Sequence, residues 1–240
     1  MQTYFLVCII VFFAGVIQGV SGFGSILLCL PLLAIFLDIK IVIPLAALFG
    51  LSISTILLTQ LWKHMEWKKI YPLFLAAFPG VPVGVFFLKK LDKGPIHWIL
   101  GIMLISYSLY SLFLRSSSKG IKEQWAYPFG FFSGCLGGAL GAAGPPVIVY
   151  TSLQTWSKDK IKVTLQGFFL VLGTTVVFFH AINGLTTLTV LRFFLVGLPL
   201  LIAGTYVGSF FYGKMAEDGY KRTMFILLAF LGAFMIYRAT

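Results

Sequence analysis

The chain reads as a succession of long apolar runs separated by short polar stretches. Eight apolar segments stand out, at roughly 4–37, 41–62, 70–88, 95–114, 127–156, 163–183, 188–211 and 220–238. Six of them have the length of one helical crossing, since a hydrocarbon core of about 30 Å takes about 20 residues. The first and fifth are too long. As straight helices they would reach about 45–50 Å. Both carry glycine near the middle, a residue that costs a helix about 1 kcal/mol at each position. Each is therefore predicted to be a Gly-rich broken helix or a re-entrant hairpin.

The longest polar break, "RSSSKGIKEQW" from Arg115 to Trp125, divides the chain into near-equal halves. The halves resemble each other. "FFAGVIQGVSGFGS" (12–25) aligns without gaps on "FFSGCLGGALGAAG" (131–144) at an offset of 119. Phe12, Phe13, Gly15, Gly19 and Gly22 fall on Phe131, Phe132, Gly134, Gly138 and Gly141. Ser54-Thr55 falls on Gly173-Thr174, and "PGVPVG" (79–84) meets "PLLIAG" (199–204) one residue further on. The expected organisation is a first repeat over 1–114, with broken segment 4–37 and helices 41–62, 70–88 and 95–114. A linker follows over 115–126. The second repeat covers 127–240, with broken segment 127–156 and helices 163–183, 188–211 and 220–238.

Charge refines the topology. If all eight segments cross, the two sides hold 8 and 10 Lys/Arg; if segments one and five turn back, the split is 12 and 6. The richer side then carries Lys63, Lys68, Lys69, Arg115, Lys119, Lys122, Lys158, Lys160, Lys162, Lys214, Lys221 and Arg222. Only the hairpin arrangement satisfies the positive-inside rule clearly. Each half then makes three crossings, so the halves have inverted topology, with both termini outside. The fold class predicted is an all-α multispanning membrane protein of two inverted repeats. The tryptophans Trp62, Trp67, Trp98, Trp125 and Trp156 lie at or near segment ends, as interfacial belts require.

Composition agrees. The chain is 59% hydrophobic and 10% charged, where a soluble domain carries about 25% charged residues. The net charge of +11 comes from loop lysines and arginines, which suits anionic headgroups and not nucleic acid. Cys8, Cys29 and Cys135 lie within apolar runs with no CxxC or His/Cys cluster, so they read as small hydrophobes, and no metal site or cofactor is expected. The N-terminal "MQTYFLVCIIVFFAG" has no basic region before its apolar run and reads as a retained membrane segment.

Main chain freed from a helix cannot face lipid, but it can line a polar cavity or hold a ligand. A broken helix exposes N–H groups at the start of its second part, and these with the helix dipole attract an anion. The candidate substrate-binding residues are Gln18, Gly19, Ser21, Gly22, Gly24 and Ser25 in the first break and Gly138, Gly141, Gly144, Pro145 and Pro146 in the second. Pro145 or Pro146 suits a first helical turn, where no N–H donor is needed. Ser54, Thr55, Gln166 and Thr174, polar residues within helices, complete the candidate substrate-binding set. Close helix packing through the GxxxG pairs Gly15/Gly19, Gly134/Gly138 and Gly137/Gly141 is the competing use of the same glycines. His180 is a candidate for proton coupling, with a plain interfacial histidine as the alternative. His64 and His97 sit at loop edges. Arg192 either draws anions to a vestibule or snorkels to the interface.

The stretches "GVIQGVSGFGSILLCLPLL" (15–33) and "GCLGGALGAAGPPVIVY" (134–150) resemble the TauE/SafE sulfite exporter family of membrane proteins. The second matches that family's Gly-Gly-x-x-Gly-x-x-Gly-Pro-Pro signature. The first has Gly22-Phe23-Gly24-Ser25 where the family often has three glycines in a row. The resemblance implies transport of sulfite or a related small sulfur-containing or organic anion across the cytoplasmic (inner) membrane. The expected mechanism is that of a secondary transporter with alternating access, in the export direction. The expected partners are a small anionic substrate and the lipid bilayer, with no nucleic acid; a homodimer is a further expectation. Proton-coupled import, an intramembrane enzyme and a non-transporting assembly factor are the alternatives. No nucleotide-binding loop, no HExxH and no buried carboxylate pair is present, so no catalytic residue is expected.

Overall fold

The computed structural model describes residues 2–61, 67–113, 120–212 and 217–239. Trp62, Lys63, His64, Arg115, Lys119 and Lys214 lie outside the described residues, as do the side chains of Lys158, Lys221 and Arg222. The chain is helical, and no strand occurs among the described residues. The first half forms α1 (Gln2–Ser21), α2 (Ser25–Phe36), α3 (Ile39–Leu61), α4 (Trp67–Lys90) and α5 (Lys93–Phe113). A 3-10 turn, Glu123–Trp125, leads into the second half. This comprises α6 (Ala126–Leu140), α7 (Gly144–Ser152), α8 (Lys158–Ile182), α9 (Leu188–Phe211) and α10 (Glu217–Ala239).

Both overlong segments are broken, and at matching places. α1 ends before Gly22 and Gly24, whose φ angles of 81° and 95° are left-handed. α6 ends at Gly141, φ 66°, whose N–H bonds back to the Gly137 carbonyl at 2.9 Å. Gly22 and Gly141 are partners at the offset of 119, and a side chain at either would be strained.

Six helices are long and apolar enough to cross a bilayer: α1, α3, α4, α5, α8 and α9. α1, the first arm of a segment expected to be broken or to turn back, has span length, whereas the apolar part of α10 covers Met224–Ala239.

The most extensive helix contacts run between the halves, α1 along α9 and α6 along α4. Glycine makes them possible. A Cβ on Gly204 would lie 2.1 Å from the Phe12 carbonyl oxygen, and one on Gly208 2.2 Å from that of Val16. A Cβ on Gly134 would lie 2.0 Å from the Ala77 oxygen, and one on Gly138 2.3 Å from that of Val81. Contact positions rise together in both pairs, so each pair is parallel. α5 and α10 instead run antiparallel: Gly94 meets Ala239, Gly101 meets Gly232, and Tyr107 meets Phe225.

Each broken segment is a hairpin. Tyr4, in the first turn of α1, stacks on Phe193 near the start of α9. Asp38, just past α2, pairs with Lys93 at the start of α5. Lys89, at the end of α4, donates to Asn183 at the end of α8. Both ends of α1–α2 therefore sit where α4 meets α5 and α8 meets α9. The α6–α7 hairpin opens at the other end of α4. Phe129 of α6 packs on Tyr150 of α7, Tyr150 packs on Trp156, and Lys69 of α4 lies over Trp156.

The Asp38–Lys93 pair clamps the mouth of the first hairpin, where Arg238 also donates to the Ala34 carbonyl. Partial desolvation pushes the Asp38 carboxyl up, but the Lys93 ammonium and the Lys40 N–H outweigh it and hold the group below its ordinary value. A carboxyl depressed in the folded state stabilises above its unfolded pKa, about 4, and loses that contribution as pH falls through the lower folded value. Asp38→Asn is expected to cost no more than about 1 kcal/mol at pH 7, as for an exposed pair. That cost should vanish below the folded-state value. Thermal inactivation of both proteins in detergent, read from pH 7 down to pH 3, checks it.

Candidate functional site

The two breaks meet at one cavity. It is lined by Gln18, Gly24, Ile26 and Leu27 of the first hairpin and by Gly137 and Gly141–Gly144 with Ile148 of the second. α3 contributes Ala47, Gly50, Leu51 and Ser54, and α8 contributes Phe169, Leu172, Gly173 and Val176. The atom-free space is about 610 Å³, a figure that includes its open mouth. The repeat is visible in the walls. At the offset of 119, Gly50 pairs with Phe169, Ser54 with Gly173, and Gln18 with Gly137.

The polar groups facing this space are few. Among the described residues, no backbone carbonyl accepts from the N–H of Ala142, Ala143 or Gly144, which open α7. Pro145 and Pro146 have no N–H, so these three and the helix dipole are what α7 offers a guest. The Ser133 hydroxyl donates to the Ala143 carbonyl and fixes the turn. Ser54 supplies an independent group. Its hydroxyl is buried on the cavity wall and has no hydrogen-bond partner. An unpartnered buried hydroxyl costs about 1–3 kcal/mol unless something in the cavity binds it.

At the first break the polar groups bind one another. Ser25 donates to Gln18 Oε1, Gln18 Nε2 approaches Gln166 Oε1 at 3.4 Å, and Gln166 Nε2 donates to the Gly22 carbonyl at 2.5 Å. The Ser21 hydroxyl lies within hydrogen-bonding distance of the Ile17 and Phe23 carbonyls and braces the turn without reaching the cavity.

The structure thus brings together Gln18, Gly24, Ser54, Gly141 and Gly144 on the cavity wall, with Gly22, Ser25 and Gln166 behind Gln18. It puts others elsewhere. Gly19 and Gly138 are packing residues against α9 and α4. Thr55 and Thr174 are exposed and bond to Leu51 and Leu170 of their own helices, because one step along a helix turns a side chain about 100° from the face of Ser54 or Gly173. Pro145 and Pro146 build the first turn of α7 but do not line the space. His180 is buried away from it, with Nε2 2.9 Å from the Gly138 carbonyl oxygen and Nδ1 unpartnered. It ties α8 to α6.

The sequence marks Lys162 only as a topology charge, yet it is the one buried Lys, Arg, Asp or Glu side chain among the described residues. Its ammonium donates to the Gly19 carbonyl at 3.2 Å and lies 3.3 Å from the centre of the Tyr212 ring. Ala142, Ala143, Gly50 and Phe169 also went unnoticed. The offset of 119 carries a signal for Phe169, through Gly50, but none marks the alanines.

Ser54→Ala should have effects of opposite sign on stability and binding. Stability should be unchanged or rise by up to about 1 kcal/mol, because an unpartnered hydroxyl is removed. Affinity for an anionic guest should fall by about 10–150-fold, one hydrogen bond to a charged group. Thermal melting and equilibrium titration with sulfite on the same preparations check both.

A family model described as Sulfite exporter TauE/SafE matches residues 7–235. The chain is also 24% identical over 229 residues to a Cupriavidus necator protein described as a probable sulfite/organosulfonate exporter TauE. That match covers 92% of this chain and 89% of the relative. No solved structure matches.

Proposed function

The chain belongs to the TauE/SafE sulfite exporter family, a family of membrane transporters and not of enzymes, and from that premise we propose that it is a secondary transporter. Its substrate is a small anion, sulfite or another sulfur-containing or organic anion. It carries that anion outward across the cytoplasmic (inner) membrane by alternating access. The observation that carries this reading is the meeting of both breaks at one cavity, where three N–H groups and the Ser54 hydroxyl lack partners.

The chemistry fits a small oxyanion. N–H and O–H donors converge, the walls are apolar, and no carboxylate lines the space. A site of this kind binds a compact charged group through hydrogen bonds and excludes larger polar solutes by shape. The hairpins opening at opposite ends, with the antiparallel α5–α10 pair, support an inverted duplication. In such folds one half rocks against the other around a fixed central site. The membrane potential, negative inside, favours anion efflux by about 2.3 kcal/mol per charge for each 100 mV.

Purified protein in liposomes tests the reading. Sulfite, thiosulfate, a sulfonate and a short carboxylate, each labelled, are loaded and followed under imposed potential and pH gradients. Efflux driven by potential alone supports export. Uptake of external anion that requires an inward proton gradient would reassign it as proton-coupled import, and no movement of any anion would end the transport reading.

A further inference from the structure

The two breaks are related by the offset of 119 yet chemically unlike. At the second, the cavity wall has Gly137 and Ala47, with Ile43 beside Gly141. At the first, the same three places hold Gln18, Gln166 and Lys162. Apolar residues, two of them small, stand at the second break, and larger polar ones fill the first. The filling is continuous. From the cavity wall, Gln18 reaches Ser25 and Gln166, Gln166 reaches the Gly22 carbonyl, and Gly22 packs on the Lys162 stem, where an added Cβ would lie 2.8 Å from Cγ. Beyond it the Lys162 ammonium rests on the Gly19 carbonyl and the Tyr212 ring.

A buried lysine that only stabilised the fold would be expected to rest on a carboxylate. Lys162 rests on two neutral groups, a carbonyl and a ring face. Asp159, one turn earlier on α8, accepts from the Tyr212 hydroxyl at 2.7 Å and acts on the ammonium through its charge, without direct contact. A full positive charge out of water, with only neutral groups in direct contact, attracts an anion more strongly than the same charge on the surface. Those neutral partners can be exchanged for an anion without breaking an ion pair.

We propose that Lys162 is the charge-selecting gate at the first break: an anion leaving the cavity displaces the Gln18–Ser25–Gln166 plug and pairs with the Lys162 ammonium on its way through. This rests on the transport reading above and adds a second station to its path, for the same class of small oxyanion.

The test separates binding from passage. Lys162→Met keeps the length of the side chain and removes the charge; Lys162→Arg keeps the charge. Sulfite binding to purified protein and sulfite flux in proteoliposomes are measured for both and for the parent. In Lys162→Met, flux should fall at least about tenfold, the size of one charge-assisted hydrogen bond, while affinity stays within about threefold. Lys162→Arg should keep at least about a third of the parent flux. The gate is overturned if Lys162→Met keeps most of its flux, if it loses binding in step with flux, or if both variants lose flux equally. Lys162→Gln serves as a second uncharged variant, and misfolding of both uncharged variants would mark the lysine as structural and also overturn the gate. A parent protein that binds and moves neither sulfite, thiosulfate nor a sulfonate would sink the transport reading itself.

Discussion

Gly144→Leu is expected to give a folded protein whose anion flux is at least about tenfold below that of the parent. The expectation follows from what surrounds the residue. A Cβ at 144 would meet Ile148 Cδ1 at 3.2 Å and Phe169 Cζ at 3.9 Å, both ends of side chains that can move by tenths of an ångström. No backbone stands in the way, and Gly144 is not in the left-handed region. The new side chain would therefore enter the cavity without separating the helices. There it covers the N–H groups of the α7 N-terminus and takes up space the anion would use. A residue before proline also loses some preference for helix, so Gly144→Ala is the control. It carries the same backbone cost and should keep most of the flux. Flux in proteoliposomes, with monodispersity and thermal stability in detergent, reads all three proteins. Equal loss in the alanine and leucine variants would mean that the turn and not the space matters.

Gly134→Leu should behave in the opposite way and fail to fold. Its Cβ would lie 2.0 Å from the Ala77 carbonyl oxygen and 2.8 Å from the Ala77 carbonyl carbon, both main chain. Helices α4 and α6 would have to move apart along their whole contact. Overpacking of this kind costs about 3 kcal/mol or more, and no rotamer relieves it, because the clash is with Cβ itself. Gly134→Ala should share most of the loss. The partner at the offset of 119, Gly15, offers a graded comparison, since its Cβ would come no closer than 2.7 Å to the Leu201 oxygen. Gly15→Ala should cost less than Gly134→Ala. Gly94→Ala, facing Ala239 at 3.6 Å, should cost little. Yield of monodisperse protein and the temperature of half-inactivation rank the series. A Gly134→Ala protein as stable as the parent would refute the close α4–α6 contact.

These two glycines come from one cluster, and they show how far the sequence could be read. Glycine density in an overlong apolar run located both breaks, because backbone leaving a helix in lipid needs residues free of Cβ strain. The aligned clusters pair Gly22 with Gly141 from sequence alone. Helix α9 spans Leu188–Phe211, the stretch expected from hydropathy, since lipid contact is written directly in side-chain polarity. The division of labour inside the cluster was not legible. Gly134 and Gly138 pack against α4, as the GxxxG spacing allowed, while Gly141 and Gly144 face the cavity. Only the pairing of α6 with α4 decides which is which, and that pairing leaves no local mark. Lys162 escaped for a related reason. A lysine four residues inside a helix start looks the same in sequence whether it snorkels to the headgroups or turns inward onto a carbonyl.

The crossing of partners between halves also bears on how the protein is made. α1 finds its long glycine-lined contact on α9, and the roughly 190 residues from the end of one to the end of the other take about 10–40 s to emerge at 5–20 residues per second. For that time the face of α1 carrying Gly15 and Gly19 has no helix of its own chain to lie on. The first hairpin must wait in the insertion machinery or among lipids until the second half arrives. A nascent chain halted within the polar break that separates the halves should therefore remain vulnerable to membrane proteases, and completion of α9 should be the moment at which it becomes resistant.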